Sequence, residues 1–224
     1  IGSAMKTEAG NYFEDFMLGQ KLVHATPRTL TVGDAALYTA LYGPRFALQS
    51  ADTFAKQLGF PRSPLDDLLV FHTVFGKTVP DISLNAVANL GYAEGVFLKP
   101  VYPGATLNAV SEVIGLKENS NKQTGVVYVR TEGFDETGAK VLSYVRWVMV
   151  RKRDQNAPVA DAIVPKLAAA VSPDAFAKMD FSKFDTVASG SKHLWEDYEP
   201  GEKIDHVDGM TVEEAEHMMA TRLY

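Results

Sequence analysis

A stretch of 30 residues near the start of the chain recurs near its end, and a duplicated unit constrains architecture more than any single motif. Phe13-Glu14-Asp15-Phe16 matches Trp195-Glu196-Asp197-Tyr198, and Gly19, Lys21 and His24 match Gly201, Lys203 and His206 in the same register. After a two-residue contraction, Thr31-Val32, Asp34, Ala35 and Ala40 match Thr211-Val212, Glu214, Ala215 and Ala220. So many matches in one register favour duplication over two unrelated helix starts. Thr31 with Asp34, and Thr211 with Glu214, have capping-box spacing, which predicts a helix after each. The first copy runs on over 13–150 and the second covers only 195–224. Roughly a hundred residues of a second unit are therefore expected outside this sequence.

The helix after Thr31 is expected to stop at Gly43-Pro44. Ser63-Pro64-Leu65-Asp66 supplies an N-cap hydroxyl, a proline at the first helical position and a first-turn carboxylate. Leu65, Leu68, Leu69, His72, Phe75 and Val79 follow at steps of three and four, predicting a helix over 63–79 with Leu68, Leu69 and Phe75 buried. From Tyr92 the period shortens to that of strands, over 96–102, 106–116, 125–132 and 140–151, joined by short polar turns. The expected fold is α+β, an antiparallel meander curled round the long helix.

Composition narrows the chemistry. With no cysteine, disulfides, thiolate catalysis and cysteine-ligated metals are excluded. A net charge of −6 argues against nucleic acid as a partner. No apolar run approaches the ~18 residues of a membrane span, and no signal-peptide pattern opens the chain, so the cytoplasm is the expected compartment. Ile1-Gly2-Ser3-Ala4 reads as a tag scar, with 1–11 as an N-terminal extension. Residues 12–153 are the expected first domain, 154–193 a linker with a short helix near 173–178, and 194–224 the start of a second domain.

The segment FLKPVYPGATL at 97–107 resembles the strand-turn-strand signature of MaoC-like hydratases, hot-dog-fold enzymes that add water to enoyl thioesters of coenzyme A. HATPRTLTVGD from His24, LYTALYGPRFALQS from Leu37 and LLVFHTVFGKTVPDISLNAVANLGYAEG from Leu68 are similar to the mesaconyl-CoA hydratase branch, also called β-methylmalyl-CoA dehydratase. The resemblance runs over 11–224. It implies a double hot dog whose second unit is truncated here, and reversible hydration of an enoyl-CoA, most specifically mesaconyl-CoA to β-methylmalyl-CoA.

Such a reaction needs a base for water, an acid for the α-carbon and N–H donors for the thioester oxygen. The family places an acid or amide and a histidine five residues apart after the first helix, and a His-Gly pair at the start of the central helix. Here those positions hold Pro44 and Gln49, and the helix start reads Asp67-Leu68. This half is therefore expected to be inactive, with the catalytic residues in the second repeat beyond Tyr224.

Arg45, Gln49, His72, Lys99 and Tyr102 are the substrate-binding candidates. Arg45 could pair with the free carboxylate of the mesaconyl group, against a plain loop arginine. Lys99 and Tyr102 could touch coenzyme A, while Lys99 could equally protect an edge strand. His72 reads as a core histidine or a pocket residue. Asp66 reads as a cap carboxylate rather than an acid catalyst. Glu214 and His217 are too weak a pair for a metal, and neither a metal nor a cofactor is expected beyond the coenzyme A of the substrate. A homo-oligomer with no nucleic-acid or membrane partner is expected. Two alternatives remain: a non-catalytic acyl-CoA-binding or scaffold half, and a thioesterase using Asp66 or Asp67.

Overall fold

A computed structural model describes residues 5–43, 46–176 and 178–224. Its sheet contains β1 (Lys21–Thr29), β2 (Ala86–Phe97), β3 (Thr106–Glu118), β4 (Thr124–Phe134) and β5 (Lys140–Arg151), antiparallel in the order β1-β3-β4-β5-β2. The helices are α1 (Val32–Tyr42), α2 (Ala47–Ser50), α3 (Asp52–Gln57), α4 (Asp67–Thr78) and α5 (Glu214–Leu223). The sheet curls round α4, the expected α+β arrangement.

Valine-rich alternation places β3, β4 and β5 side by side, and this part is the meander that the pattern predicts. The sheet as a whole is not a meander. The free edge of β3 is taken by β1, paired from Lys21 with Glu112 to Thr29 with Thr106, so β2 crosses to pair with β5. No strand was expected over β1, where most residues are exposed and His24 is the one buried position. The strand expected over 96–102 instead ends at Phe97 and begins at Ala86. Register shifts at three places hide its period, and Gly91 leaves room for the Trp147 ring that lies on it.

The central helix starts at Asp67 rather than Ser63. The Leu65 N–H donates to the Val101 carbonyl at 2.7 Å, which holds 63–65 extended, and the Asp66 carboxylate takes over as N-cap by accepting from the Leu68 N–H at 2.8 Å. The helix ends at Thr78 and passes through a π-helical turn, Val79–Ser83, that contains Pro80. Its buried stripe runs through Leu69, Val70, Thr73, Val74 and Thr78. Leu69 is buried as expected, Phe75 is half-buried, and Leu68 is 52% exposed because the sheet covers only the neighbouring face.

Around Thr31 the capping box forms: the Asp34 N–H donates to the Thr31 hydroxyl at 3.2 Å, and the Thr31 N–H donates to the Asp34 carboxylate at 2.8 Å. Gly43 then closes α1 with a φ of 59°, its N–H on the Thr39 carbonyl. Thr211 forms no such box. The cap of α5 is Glu213, without a side-chain bond, and the helix begins two residues later than the repeat requires. It still packs beside α1, burying Leu223 in the same core as Tyr38 and Leu41.

Residues 154–193 are anchored to the first unit at several points. Ile163 exchanges two backbone hydrogen bonds with Leu116, the Ala168 N–H donates to the Glu94 carboxylate at 3.0 Å, and the Phe184 ring stands edge-on to Phe54 at 5.3 Å. Gly115 permits the first of these, since a Cβ there would lie 2.7 Å from the Ile163 carbonyl oxygen. The helix expected near 173–178 is only a 3-10 turn at Pro173–Ala175, with Ser172 as its cap.

Candidate functional site

Three of the residues singled out from sequence converge at the start of α4. Gln49 arrives on α2, Asp67 opens α4, and Lys99 follows the end of β2; together they border a groove of about 220 Å³ with apolar walls that include Leu48, Phe60 and Phe97. The Gln49 Oε1 atom is buried and, among the described residues, has no hydrogen-bond partner. Exclusion of water, and then the neighbouring Asp66 charge, hold the Asp67 carboxyl above the usual carboxylate range.

Lys99 also borders a second groove, of about 330 Å³, which holds Tyr102 and Arg62. Its ammonium is engaged by the Asp135 carboxylate at 2.5 Å. That bond, followed by the Thr137 hydroxyl, pulls Asp135 down to about 2. The Arg62 guanidinium lies 5.7 Å from the centre of the Tyr102 ring and donates to the Pro103 carbonyl at 2.9 Å.

His72 lines neither groove. Its ring stacks on Tyr224 at 4.8 Å, and burial holds it below the ordinary histidine value. Tyr224 in turn shares a 2.6 Å hydroxyl contact with Tyr42, at the meeting of α1 and α5. Burial, and then the Asp66 charge, push the nearby Tyr38 up to about 12. Pro44 and Arg45 lie outside the described residues.

This arrangement has little to offer proton transfer. An amide cannot act as a general base at Gln49. The Leu68 N–H is already bonded to the Asp66 carboxylate. The same bond commits Asp66 to its cap.

Sequence reasoning missed a buried network on the other side of α4. His24 bonds Asp81 through Nδ1 at 2.6 Å and Ser111 through Nε2 at 2.7 Å, and Ser111 continues to Thr131 at 2.7 Å. Burial lowers the His24 pKa against the opposing pull of Asp81. Near it, Arg146 is fully buried with its guanidinium 4.6 Å from the centre of the Phe75 ring, bonded through Nη2 to Thr78 and Ser83. Alternation of Tyr144, Arg146 and Val148 on the inner face of β5 was the one signal for it; nothing local links His24 to a partner 57 residues away. Among the described residues, no group of three or more His, Asp or Glu side chains could hold a metal, and no helix is long and apolar enough to cross a membrane.

A family model described as mesaconyl-CoA hydratase matches residues 2–164. A β-methylmalyl-CoA dehydratase from Chloroflexus aurantiacus is 60% identical over 227 residues, which cover 98% of this chain and 63% of that protein. A crystal structure from the same organism, described as a MaoC domain protein dehydratase, superposes with a TM-score of 0.93 at 59% identity, covering 98% of this chain and 64% of that one. A Mycobacterium tuberculosis protein with a double hot-dog fold is similar at a TM-score of 0.67 and 28% identity, over 75% of this chain and 53% of that one. The sheet curled on α4 is thus a hot-dog fold, and the chain spans less than two thirds of the length of these relatives.

Proposed function

The chain belongs to the mesaconyl-CoA hydratase family, and on that premise we propose that its protein reversibly hydrates an enoyl-CoA thioester, mesaconyl-CoA to β-methylmalyl-CoA. The observation that carries this reading is 60% identity to a β-methylmalyl-CoA dehydratase across nearly the whole chain. Residues 12–153 are the first hot-dog unit, 154–193 a connecting segment and 194–224 the opening of a second unit. The chemistry belongs to that second unit. There a base takes a proton from the water that attacks the β-carbon, an acid delivers one to the α-carbon, and N–H donors hold the enolate oxygen.

The first unit has a supporting role. Gln49 in place of a histidine, and a Leu68 N–H already held by Asp66, favour a non-catalytic half. A thioesterase using Asp66 is disfavoured by the same cap. Arg62, Lys99 and Tyr102 are the groups offered to coenzyme A in the wider groove. The protein needs no cofactor beyond the coenzyme A of its substrate, works in the cytoplasm and assembles as a homo-oligomer.

The test is loss of enoyl-thioester absorbance with mesaconyl-CoA. The whole protein is expected to turn over, and the 224-residue chain to bind coenzyme A esters weakly and turn none over. General acid–base groups are commonly worth ~10²–10⁴-fold, so the contrast is large. Hydration by the shorter chain would overturn the placement of the chemistry, and an inert whole protein would overturn the reaction itself. Arg45→Ala should weaken binding of mesaconyl-CoA more than of crotonyl-CoA, which lacks the second carboxylate; equal losses would remove that role.

A further inference from the structure

Between the turn at Trp195–Asp197 and α5 the chain carries Asp208-Gly209, the one Asp-Gly dipeptide in the sequence. Asp135, Asp154, Asp180 and Asp185, which also lie outside helices and strands, each accept from an N–H two residues on, the usual Asx turn. Asp208 differs. Its Oδ1 atom accepts, at 2.9 Å, from the N–H of the next residue, Gly209. The carboxyl group is thus folded back onto the one main-chain nitrogen with which it can close a five-membered ring. That nitrogen belongs to glycine, so no side chain crowds the approach.

Ring closure also needs a backbone free to turn. Among the described residues, no backbone hydrogen bond holds 203–212, and the flanking Val207 and Met210 are 90% and 61% exposed. Around Gly209, the space that a Cβ would take is empty to 4 Å.

We propose that Asp208-Gly209 is a site of spontaneous succinimide formation, and that its isoaspartyl product is a substrate for a methyltransferase that esterifies isoaspartyl carboxylates. The Gly209 nitrogen bonds to Cγ of Asp208; its proton and the hydroxyl of the carboxyl in its acid form leave together as water. A second water opens the ring at either carbonyl carbon. One product is the original aspartate. The other is isoaspartate, whose main chain runs through the former side chain and whose α-carboxylate hangs free. That carboxylate takes the methyl group of S-adenosylmethionine, and the electron pair of the broken C–S bond stays on sulfur. No part of the thioester site takes part, so the proposal stands apart from the hydratase reading.

The test is to age the 224-residue chain in warm neutral buffer and assay it at intervals with isoaspartyl methyltransferase and methyl-labelled S-adenosylmethionine. Electron-transfer fragmentation of its tryptic peptide 204–222 locates the modified residue. Label should accumulate with time, a form lighter by one water should precede it, and the β-linkage should fall at Asp208 rather than at Asp205 in the same peptide. Gly209→Val should remove the label, because a branched side chain crowds the nitrogen. The ordinary φ and open surroundings of Gly209 let that variant fold. Asp208→Asn should raise the label, since the side-chain amide closes the same ring with loss of ammonia. Modification at Asp205 instead, label that survives Gly209→Val, or none at Asp208 over the time in which the free 204–222 peptide acquires it would each overturn the proposal.

Discussion

The turns at Phe13–Asp15 and Trp195–Asp197 have the same internal bonds, yet Phe13 is 3% exposed and Trp195 88%. In each, the aspartate accepts from the backbone N–H two residues before the glutamate, Tyr12 at 2.8 Å in one and Leu194 at 2.7 Å in the other. In each, a glycine with positive φ follows, Gly19 at 77° and Gly201 at 84°. The residue matches at these two turns are therefore accompanied by matching local geometry. Burial differs because Phe13 has a sheet to lie on: its ring rests on Gly125 of β4, where a side chain would collide with it. Among the described residues, Trp195 has no such platform. Local sequence builds the turn, and only a partner surface converts its aromatic residue into core.

The contrast can be broken most sharply at the two aromatics. Phe13→Ala should destabilise the chain by ~3–5 kcal/mol in urea, whereas Trp195→Ala should stay within ~0.5 kcal/mol. Comparable losses would mean that the second turn is packed as firmly as the first. A buried leucine near the end of the second copy makes the complementary case. Leu223→Ala is expected to cost ~2–5 kcal/mol, because α5 is the part of that copy that has found a partner surface, against α1.

The matched histidines should separate by pH as well as by size of effect. His24→Gln removes two buried hydrogen bonds and is expected to cost about 1–3 kcal/mol, while His206→Gln, on an exposed stretch, should be close to neutral. Because the folded-state pKa of His24 is depressed, the unfolded chain binds the proton more readily. The stability it contributes is complete above the unfolded value, near ~6.5, and is lost as pH falls through the lower folded value. Urea midpoints measured across that window should fall in the unaltered chain and in His206→Gln, and flatten in His24→Gln. The smallest difference belongs to the caps. Thr31→Ala should cost ~1 kcal/mol and Thr211→Ala a few tenths at most, since only Thr31 holds a capping bond. Equal losses would show that the second box forms in solution.

Much of the site was legible in one dimension. Gln49 and Asp67 were found because a family pattern names those positions, and Lys99 because it sits in the FLKPVYPGATL string. Their meeting in one groove was not readable, since α2, α4 and the exit from β2 are brought together only by the curled sheet. His24 was read as a repeat match and turned out to be the centre of a buried network, because its partners Asp81 and Ser111 lie 57 and 87 residues away.

Sequence by itself determined the elements whose cause is local: the cap at Thr31, the stop at Gly43, the alternation of β3 to β5 and the duplicated turns. Each depends on a hydroxyl, a missing Cβ or a side-chain period within a few residues. Tertiary structure decided where α4 begins, which of its faces is covered and which strand stands at each edge. Leu65 cannot join the helix while its N–H is bonded to Val101, Leu68 faces away from the sheet, and β2 must pair with β5 because β1 already holds β3. Backbone donors and apolar faces are satisfied by whichever partner the whole fold brings within reach, and that choice is not written in the neighbouring residues.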